Sequence, residues 1–281
     1  MSMNQSVLIC DQVNPVLNEI LEKNGLQITY EPEITAEQIL EKIENFEVII
    51  VRSRTKITKD MIEKANKCQI IARVGVGLDN IDQAAAKEKN IRVINAVEGA
   101  MNAVAELVIG LMLSLAREIP RADREVRNGN WIKKELMGTE LRGKYLGIVG
   151  LGNIGKRLGR LARALNMNII GYDVVPIDEE FSSEVGLMKA DLGTLLSSSD
   201  YVSLHVPLLD STKHLINAEK MSTMKNTSRI INTSRGGVID EEALYEFLKD
   251  GKLGGAALDV FEVEPATSNK LASLPNFIST P

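Results

Sequence analysis

The sequence predicts an α/β protein made of two doubly wound parallel-sheet domains, and three observations support this prediction. Short apolar runs alternate with amphipathic segments along most of the 281 residues, a pattern typical of βαβ units. The alternation starts near the N-terminus and starts again at Tyr145. A glycine-rich turn follows the first strand of the second series, which is where a doubly wound sheet binds its ligand.

The first series predicts an N-terminal domain over residues 1–95. Its strands are predicted at Val7–Cys10, Val48–Val51, Gln69–Val74 and Arg92–Asn95. The amphipathic segments between them predict helices at Val16–Lys23, Ala36–Ile43 and Asp60–Lys67. We expect the boundary between the two domains near Asn95.

The second series predicts a C-terminal domain over residues 96–281. A helix over roughly Ala103–Arg117 is apolar nearly all round, so we expect it to be deeply buried. Its apolar run, Ala103–Ala116, contains Glu106, and we expect this run to be too short to span a bilayer. The strands are predicted at Tyr145–Gly150, Asn168–Tyr172, Tyr201–His205, Arg229–Thr233, Ala256–Val260 and Asn276–Ser279.

The charged segment Asp123–Glu140 precedes the second series of strands. Such a segment is usually a solvated helix and loop. Its apolar residues, Trp131 and Met137 among them, make a contact between subunits the alternative.

Composition and charge favour a soluble globular protein. A formal net charge of −5 argues against a nucleic-acid-binding surface as the main function. Cys10 and Cys68 have no metal-ligand spacing and lie in apolar runs, which predicts buried free thiols in a reducing compartment. Residues Met1–Gln5 show no signal-peptide pattern. We therefore expect a cytoplasmic protein with no bound metal and no membrane or nucleic-acid partner.

The most informative motif is the run from Leu146 to Gly155, which predicts a strand, a tight turn and a helix start. Gly150 permits the turn, Gly152 lets the backbone approach a pyrophosphate, and Gly155 lets helix and strand pack closely. The amide groups at the start of the helix then face the phosphates. The motif therefore predicts a dinucleotide site.

An acidic residue, Asp173, follows 18 residues after Gly155, at the end of the next predicted strand. A carboxylate there accepts hydrogen bonds from ribose hydroxyls and repels a 2′-phosphate. Val174 and Val175 follow, and neither can pair with such a phosphate. NAD is therefore favoured over NADP, and a carboxylate that merely caps a loop is the weaker alternative.

Two further motifs carry groups that could do chemistry. The strand ending at Thr233 delivers Arg235 into a turn with two glycines, where a guanidinium group can grip a carboxylate and polarise an adjacent carbonyl. Pairing of Arg235 with Asp240 or Glu241 is an equal alternative on this evidence alone. The run Ala257–Pro265 ends in acids, which taken by themselves are expected to be exposed loop acids.

Five motifs together resemble the D-isomer-specific 2-hydroxyacid dehydrogenase family over essentially the whole chain. They are Val74–Asn80, Gly150–Gly155 with Asp173, His205–Leu208, Asn232–Asp240 and Ala257–Pro265. The resemblance implies a flavodoxin-like substrate-binding domain, whose C-terminal return segment is absent from this sequence, and a Rossmann NAD-binding domain. It also implies a homodimer or higher oligomer that packs through the nucleotide domain.

The resemblance implies a catalytic Arg, Glu and His. Arg235 matches the Arg, which orients the 2-keto acid, and Glu264 matches the Glu, which raises the pKa of the His. The family's His follows a Thr-Pro-like step, so it is expected just beyond residue 281. Neither His205 nor His214 matches it, so we expect this chain to bind NAD better than it turns over substrate.

The resemblance also implies the residues that contact the ligands. Those expected at the cofactor are Val76, Gly150, Gly152, Asn153, Ile154, Gly155, Asp173, Val206, Pro207, Thr233, Ser234, Arg235 and Asp259. Those expected at the substrate are Arg52, Arg73, Gly75, Val76 and Arg235.

Arg52 and Arg73 indicate which substrate to expect. Both follow predicted strands of the first domain, and two guanidinium groups suit a phosphate better than a small neutral group. Pairing with surface acids is the alternative, and for Arg54 it is preferred. The family's phosphoglycerate dehydrogenases are similar at Arg52, at Arg73 and across Trp131–Lys144. The resemblance therefore implies NAD-dependent oxidation of D-3-phosphoglycerate to 3-phosphohydroxypyruvate, a step of serine synthesis.

Two other functions stay open at this point. A glyoxylate or hydroxypyruvate reductase, or another D-2-hydroxyacid dehydrogenase, would share every motif but would not need Arg73. An NAD(H)-sensing interaction protein on the same fold would bind the cofactor and reduce nothing, since fold alone does not decide function.

Overall fold

The computed structural model describes residues 5–281, except for the side chains of Val97 and Glu98. It divides into two compact units, Met1–Ala100 and Met101–Pro281. The predicted boundary near Asn95 lies just before this division, which falls in the first turn of a helix. The expectation that there is no signal peptide rests mostly on Met1–Asn4, and these residues lie outside the described part of the chain.

Unit 1 is a parallel sheet with helices on both faces. In chain order its elements are β1 Ser6–Ile9, α1 Pro15–Lys23, β2 Gln27–Tyr30, α2 Ala36–Lys42, β3 Val48–Val51, α3 Lys59–Lys64, β4 Ile70–Arg73, α4 Gln83–Glu88 and β5 Arg92–Asn95. The strands pair in the order β2-β1-β3-β4-β5, which is the flavodoxin-like order. The predicted strands are confirmed to within one or two residues, and the sequence missed β2 and α4.

Alternating residues of the unit 1 strands face two different cores. Leu8, Ile49 and Ile71 face the larger core, which α2, α3 and α4 cover. Val7 and Ile50 face a smaller core, which is covered by α1. The order of the strands reverses between β1 and β3, so the loops that follow these two strands lie at the switch point of the sheet.

Unit 2 is a second parallel sheet, preceded by two helices. Its elements are α5 Val97–Arg117, α6 Ile119–Arg127, β6 Tyr145–Val149, α7 Asn153–Ala164, β7 Asn168–Tyr172, α8 Glu179–Val185, β8 Met188–Lys189, α9 Leu192–Ser198, β9 Tyr201–Leu204, α10 Ala218–Ser222, β10 Arg229–Asn232, α11 Glu241–Lys249, β11 Gly255–Leu258 and β12 Phe277–Ser279. The strands pair in the order β12-β11-β10-β9-β6-β7-β8. This is the Rossmann order with one further strand, β12, and its switch point lies between β6 and β9.

Helix α5 differs from its prediction in length and burial. It begins at Val97 rather than Ala103, and only one face is buried, through residues such as Val108 and Met112. Leu113, on the other side, is exposed. The expectation of deep burial was wrong, because apolar composition states what a helix can bury and not how many neighbours surround it.

The argument that this helix is too short to span a bilayer was also wrong. Over Gly99–Arg117 it is long and apolar enough to cross a membrane by length and composition alone, with a mean hydropathy of 1.7. A core helix of a globular domain passes the same test, and the buried face of α5 packs in one core with Leu146 of β6 and Ile231 of β10.

Candidate functional site

The glycine turn of unit 2 lies between β6 and α7, at the switch point of the sheet. Gly150 has a φ of +93°, and a Cβ there would lie 2.6 Å from the carbonyl oxygen of His205. A Cβ on Gly155 would lie 2.1 Å from the carbonyl oxygen of Gly150. These two glycines are therefore required by close backbone contacts within the protein itself.

Gly152 differs from the other two glycines. It is the N-cap of α7, and a Cβ built there would meet nothing within 4 Å. No side chain caps α7, so the first amide groups of the helix face open space. The combination of free helix amides and an empty cradle fits a dinucleotide pyrophosphate. Asn153 and Ile154 form the first turn that contributes these amides.

Asp173 ties the end of β7 to the glycine turn. Its Oδ2 accepts a hydrogen bond from the Leu151 amide at 2.6 Å, and its Oδ1 accepts one from the Val175 amide at 3.1 Å. Val174 and Val175 are exposed and apolar, so they offer no partner for a 2′-phosphate. Asp173 thus caps a loop and also leaves carboxylate lone pairs for ribose hydroxyls.

The turn that carries Arg235 is built by a buried amide. The Asn232 side chain is 1% exposed; its Oδ1 accepts from the amide and hydroxyl of Ser234, and its Nδ2 donates to the Arg235 carbonyl at 2.8 Å. The Oγ1 of Thr233 is buried without a hydrogen-bond partner in the described chain. Such an orphaned hydroxyl also fits a ligand with polar groups, as a nicotinamide dinucleotide has.

Close packing of two backbone segments joins the Arg235 turn to the acidic loop after β11. A Cβ on Gly236 would lie 1.8 Å from the carbonyl oxygen of Phe261. Glu264 follows in that loop, is exposed, and accepts a hydrogen bond from the Phe261 amide at 3.0 Å. The fold therefore places Arg235 and Glu264 on adjacent loops at the carboxyl ends of two paired strands, β10 and β11.

Asp240 and Glu241, the alternative partners considered for Arg235, both accept hydrogen bonds from other groups. Asp240 caps α11 by accepting from the Ala243 amide. Glu241 accepts from the Glu262 amide at 2.6 Å and from the Asn269 side chain at 2.7 Å.

Both histidines of the sequence lie in unit 2. His214 contacts Glu262, with Nε2 and Oε1 3.1 Å apart. His205 Nε2 lies 2.9 Å from the hydroxyl of Ser203, and burial lowers the pKa of His205 to about 4. Both imidazole groups therefore contact side chains of unit 2 itself, and the prediction that neither histidine is the family's acid stays a prediction.

The other expected cofactor residues of unit 2 lie at the same edge of the sheet. Val206 and Pro207 follow β9, and a Cβ on Gly150 would lie 3.0 Å from Val206 Cγ1. Asp259 follows β11, donates its amide hydrogen to Asn232 O, and accepts from the Thr280 hydroxyl at 2.5 Å. The carboxyl edge thus gathers the residues that the resemblance implied for this unit.

Unit 1 holds all the expected substrate residues except Arg235, which lies in unit 2. Arg52 follows β3 and its side chain is exposed, whereas Arg54 forms an ion pair with Asp11 at 3.2 Å. The preference for an ion-paired Arg54 is confirmed, but its partner is a buried acid and not a surface acid.

Arg73, Gly75 and Val76 lie in and just after β4. The Arg73 guanidinium folds over Gly75, since a Cβ there would lie 2.4 Å from its Nη1. The Val76 carbonyl accepts from the Asn95 side chain at 2.5 Å. All three residues belong to unit 1, so their expected role at the substrate, and that of Val76 at the cofactor, stay predictions that the geometry of the glycine turn does not test.

Three residues that organise these loops were missed by the sequence analysis, namely Asp11, Asn80 and Asn232. Each is a polar residue placed beside an apolar strand or a glycine turn, which is a weak signal in a single sequence. Their partners lie up to 44 residues away in the chain for Asp11 and 28 for Asn80. Local patterns do not report such pairings.

Residues 109–281 match the sequence model of the D-isomer specific 2-hydroxyacid dehydrogenase, NAD binding domain. The chain is 46% identical over 276 residues to a D-3-phosphoglycerate dehydrogenase of Methanocaldococcus jannaschii, covering 98% of this chain and 52% of that protein. It is 47% identical over 265 residues to a hydroxypyruvate reductase of Thermotoga maritima, covering 93% of this chain and 85% of that protein.

Solved structures show the same similarity. A glyoxylate reductase from Paecilomyes thermophila superposes with a TM-score of 0.91 at 30% identity, covering 99% of this chain and 88% of that chain. The chain spans about half the length of the Methanocaldococcus relative, since the match covers 52% of that protein.

Proposed function

This chain belongs to the D-isomer specific 2-hydroxyacid dehydrogenase family and carries its NAD-binding domain, and we propose that it oxidises D-3-phosphoglycerate to 3-phosphohydroxypyruvate. One observation supports the phosphorylated substrate most directly. The guanidinium group of Arg52 is exposed at the switch point of unit 1, on a loop fixed by hydrogen bonds, and no partner for it occurs among residues 5–281.

The residues of unit 2 support the oxidation itself. When bound on the glycine turn and Asp173, NAD would supply the acceptor for the hydride that leaves C2 of the substrate. Arg235 grips the substrate carboxylate and polarises the oxygen on C2, because a guanidinium group offers paired donors to planar oxygens. Glu264 orients the group that removes the hydroxyl proton and stabilises that group's positive charge. We propose that this group is a histidine beyond residue 281.

The proposal is tested by turnover on two substrates that differ only in the phosphate. The protein with its natural continuation is assayed with NAD and either D-3-phosphoglycerate or D-glycerate. We expect a higher kcat/KM for the phosphorylated substrate. Arg52→Met and Arg73→Met should each lower that preference about 30-fold, the effect of a charged hydrogen bond of about 2 kcal/mol, chiefly by raising KM. Equal kcat/KM values in the unmodified protein would contradict the proposal.

A second candidate function is reduction of hydroxypyruvate. The similarity to the Thermotoga maritima hydroxypyruvate reductase, which extends over 85% of that protein, favours it. Faster turnover of the unphosphorylated substrate would decide for this alternative. Tight NADH binding without any turnover would decide for an NAD(H)-sensing protein.

We also propose a homodimer that packs through unit 2. Trp131 and Met137 are 81% and 87% exposed, and the outer side of α5 is apolar at Leu113. Exposed apolar groups of this size support a covered surface. The mass in solution, measured by light scattering, should be that of two chains and should fall towards one chain in Trp131→Glu.

The cytoplasm is the compartment that we propose. Cys10 and Cys68 are both free and buried, and burial raises the pKa of these thiols to about 12 and about 11. Unpaired thiols of this kind are compatible with a reducing compartment. Localisation of a tagged protein in its native cell tests this.

A further inference from the structure

We infer that Asp11 is a positioning residue for the substrate phosphate, and that it acts by fixing the backbone of Arg52 while it holds Arg54 away from the ligand. The inference rests on the proposed function and adds to it a reason why Arg52, rather than Arg54, binds phosphate.

Asp11 is a buried carboxylate whose donors come from one short loop. Its Oδ2 accepts from the Arg52 amide at 2.5 Å and from the Thr55 amide at 3.3 Å, and its Oδ1 accepts from the Thr55 hydroxyl at 2.7 Å. Arg54 adds the ion pair. A buried carboxylate is unfavourable unless donors surround it, so the contacts that stabilise Asp11 also fix the loop.

Each of the three nitrogen atoms of the Arg54 guanidinium group has a partner. Besides Asp11, it donates to the carbonyl oxygens of Cys10 at 2.5 Å, Pro32 at 2.7 Å and Ile34 at 3.1 Å. Moving Arg54 towards a ligand would break these bonds and leave the carboxylate of Asp11 buried without its counter-charge. Arg54 is therefore structural.

Arg52 is held at both its amide and its carbonyl. Asp11 accepts from its amide, and the Asn80 side chain donates to its carbonyl oxygen at 2.8 Å and to that of Thr55 at 2.6 Å. The two bonds fix the backbone of Arg52 and hence the direction of its Cα–Cβ bond. Less conformational freedom then remains to be lost when the guanidinium group binds an anion.

The position of this arrangement supports a role in binding rather than in folding alone. Asp11 follows β1 and Arg52 follows β3, and the strand order of unit 1 reverses between these two strands. Ligands of open parallel sheets bind outside the carboxyl ends of the strands at such a point.

The experiment compares the affinities of phosphorylated and unphosphorylated substrate when no hydride can be transferred. Dissociation constants for D-3-phosphoglycerate and D-glycerate are measured by calorimetry with NADH bound. The hydroxy acid and NADH are both reduced, so no hydride can pass between them. Asp11→Asn keeps the shape of the side chain and removes its charge. We expect it to lower the affinity for D-3-phosphoglycerate about tenfold and that for D-glycerate less than twofold.

Companion variants keep the inference testable where Asp11→Asn folds poorly. Asn80→Ala removes the bonds to the Arg52 and Thr55 carbonyls from the other side of the loop, and it should lower the same affinity ratio. Thr35→Ala is the matched control: it removes the cap of α2 in the same unit, so it should lower thermal stability and leave the ratio unchanged.

The outcomes separate the inference from the proposed function. If the unmodified protein binds both substrates equally, the proposed function fails and the inference falls with it. If the unmodified protein prefers D-3-phosphoglycerate and Arg52→Met abolishes the preference, but Asp11→Asn and Asn80→Ala keep it, the inference alone is overturned.

Discussion

The two units fix the loops at the carboxyl edges of their sheets by different means, although unit 2 also has one buried amide, Asn232, in the Arg235 turn. Unit 2 uses glycines, since Gly150, Gly155 and Gly236 each allow a backbone contact that a Cβ would block. Unit 1 uses a buried carboxylate, Asp11, and a half-buried amide, Asn80, that bind the backbone of a loop. The difference corresponds to the proposed ligands: a pyrophosphate is bound by backbone amides that need space, whereas a phosphate bound by an arginine needs a fixed base for a long side chain.

The largest expected effect is the loss of NADH affinity when glycines of unit 2 are replaced. It distinguishes Gly155, which packs against backbone, from Gly152, which does not. Gly155→Ala puts a Cβ against the Gly150 carbonyl, so it should lower stability and weaken NADH binding about 10³-fold or more. Gly152→Ala meets no protein atom within 4 Å, so it should keep the melting temperature and still weaken NADH binding. Thermal unfolding and NADH fluorescence titration measure both; equal stability losses would contradict the distinction.

Arg235→Lys tests whether the glycine-packed turn delivers a group with a chemical role. Lysine keeps the charge and loses the paired donors, so we expect kcat/KM for D-3-phosphoglycerate to fall about 10³-fold, or about 4 kcal/mol. The dissociation constant for NADH should change less than twofold. A loss of NADH affinity that matches the loss of kcat/KM would show that Arg235 serves the cofactor instead.

Acid should destabilise unit 2 more than unit 1 through His205. The pKa of His205 is lowered by burial from 6.5 to about 4, so the unfolded chain binds more protons between these values. The folded state keeps the stability that goes with a neutral His205 above about pH 6.5. As the pH falls from there through about 4, the free energy of unfolding drops by roughly 3 kcal/mol in total. Hydrogen exchange at about pH 7 and about pH 4.5, read separately for the two units, should show this, and His205→Gln should weaken it. Equal acid sensitivity of the two units would rule it out.

The smallest expected effect concerns the charge beside the glycine turn. Asp173→Asn keeps an oxygen that can accept from the Leu151 amide and removes the negative charge. The ratio of NADPH to NADH affinity should rise about tenfold, because the repulsion of a 2′-phosphate is removed. An unchanged ratio would mean that Asp173 serves the turn and does not select the cofactor.

The sequence by itself determined the two parallel sheets, the dinucleotide motif and the residues that lie at the edge of unit 2. Strand and helix periods are local, so most of the predicted strands lie within a residue or two of the observed ones. Glycines are also informative, because the turn needs Gly150 for its φ of +93° and Gly155 for its contact with the Gly150 carbonyl oxygen. The order of the motifs indicated the family, because each motif is a local pattern that can be recognised in the sequence.

Only the tertiary structure decided the roles of side chains whose partners are distant in the chain. The sequence could not show that Arg54 pairs with Asp11 while the guanidinium group of Arg52, two residues earlier, has no partner among residues 5–281. Nor could it show that α5 is covered on one face, since composition states what a helix can bury and not what surrounds it. The physical reason is shared: the free energy of a buried charge or an apolar face depends on which groups the fold brings to it, and those groups are remote in sequence.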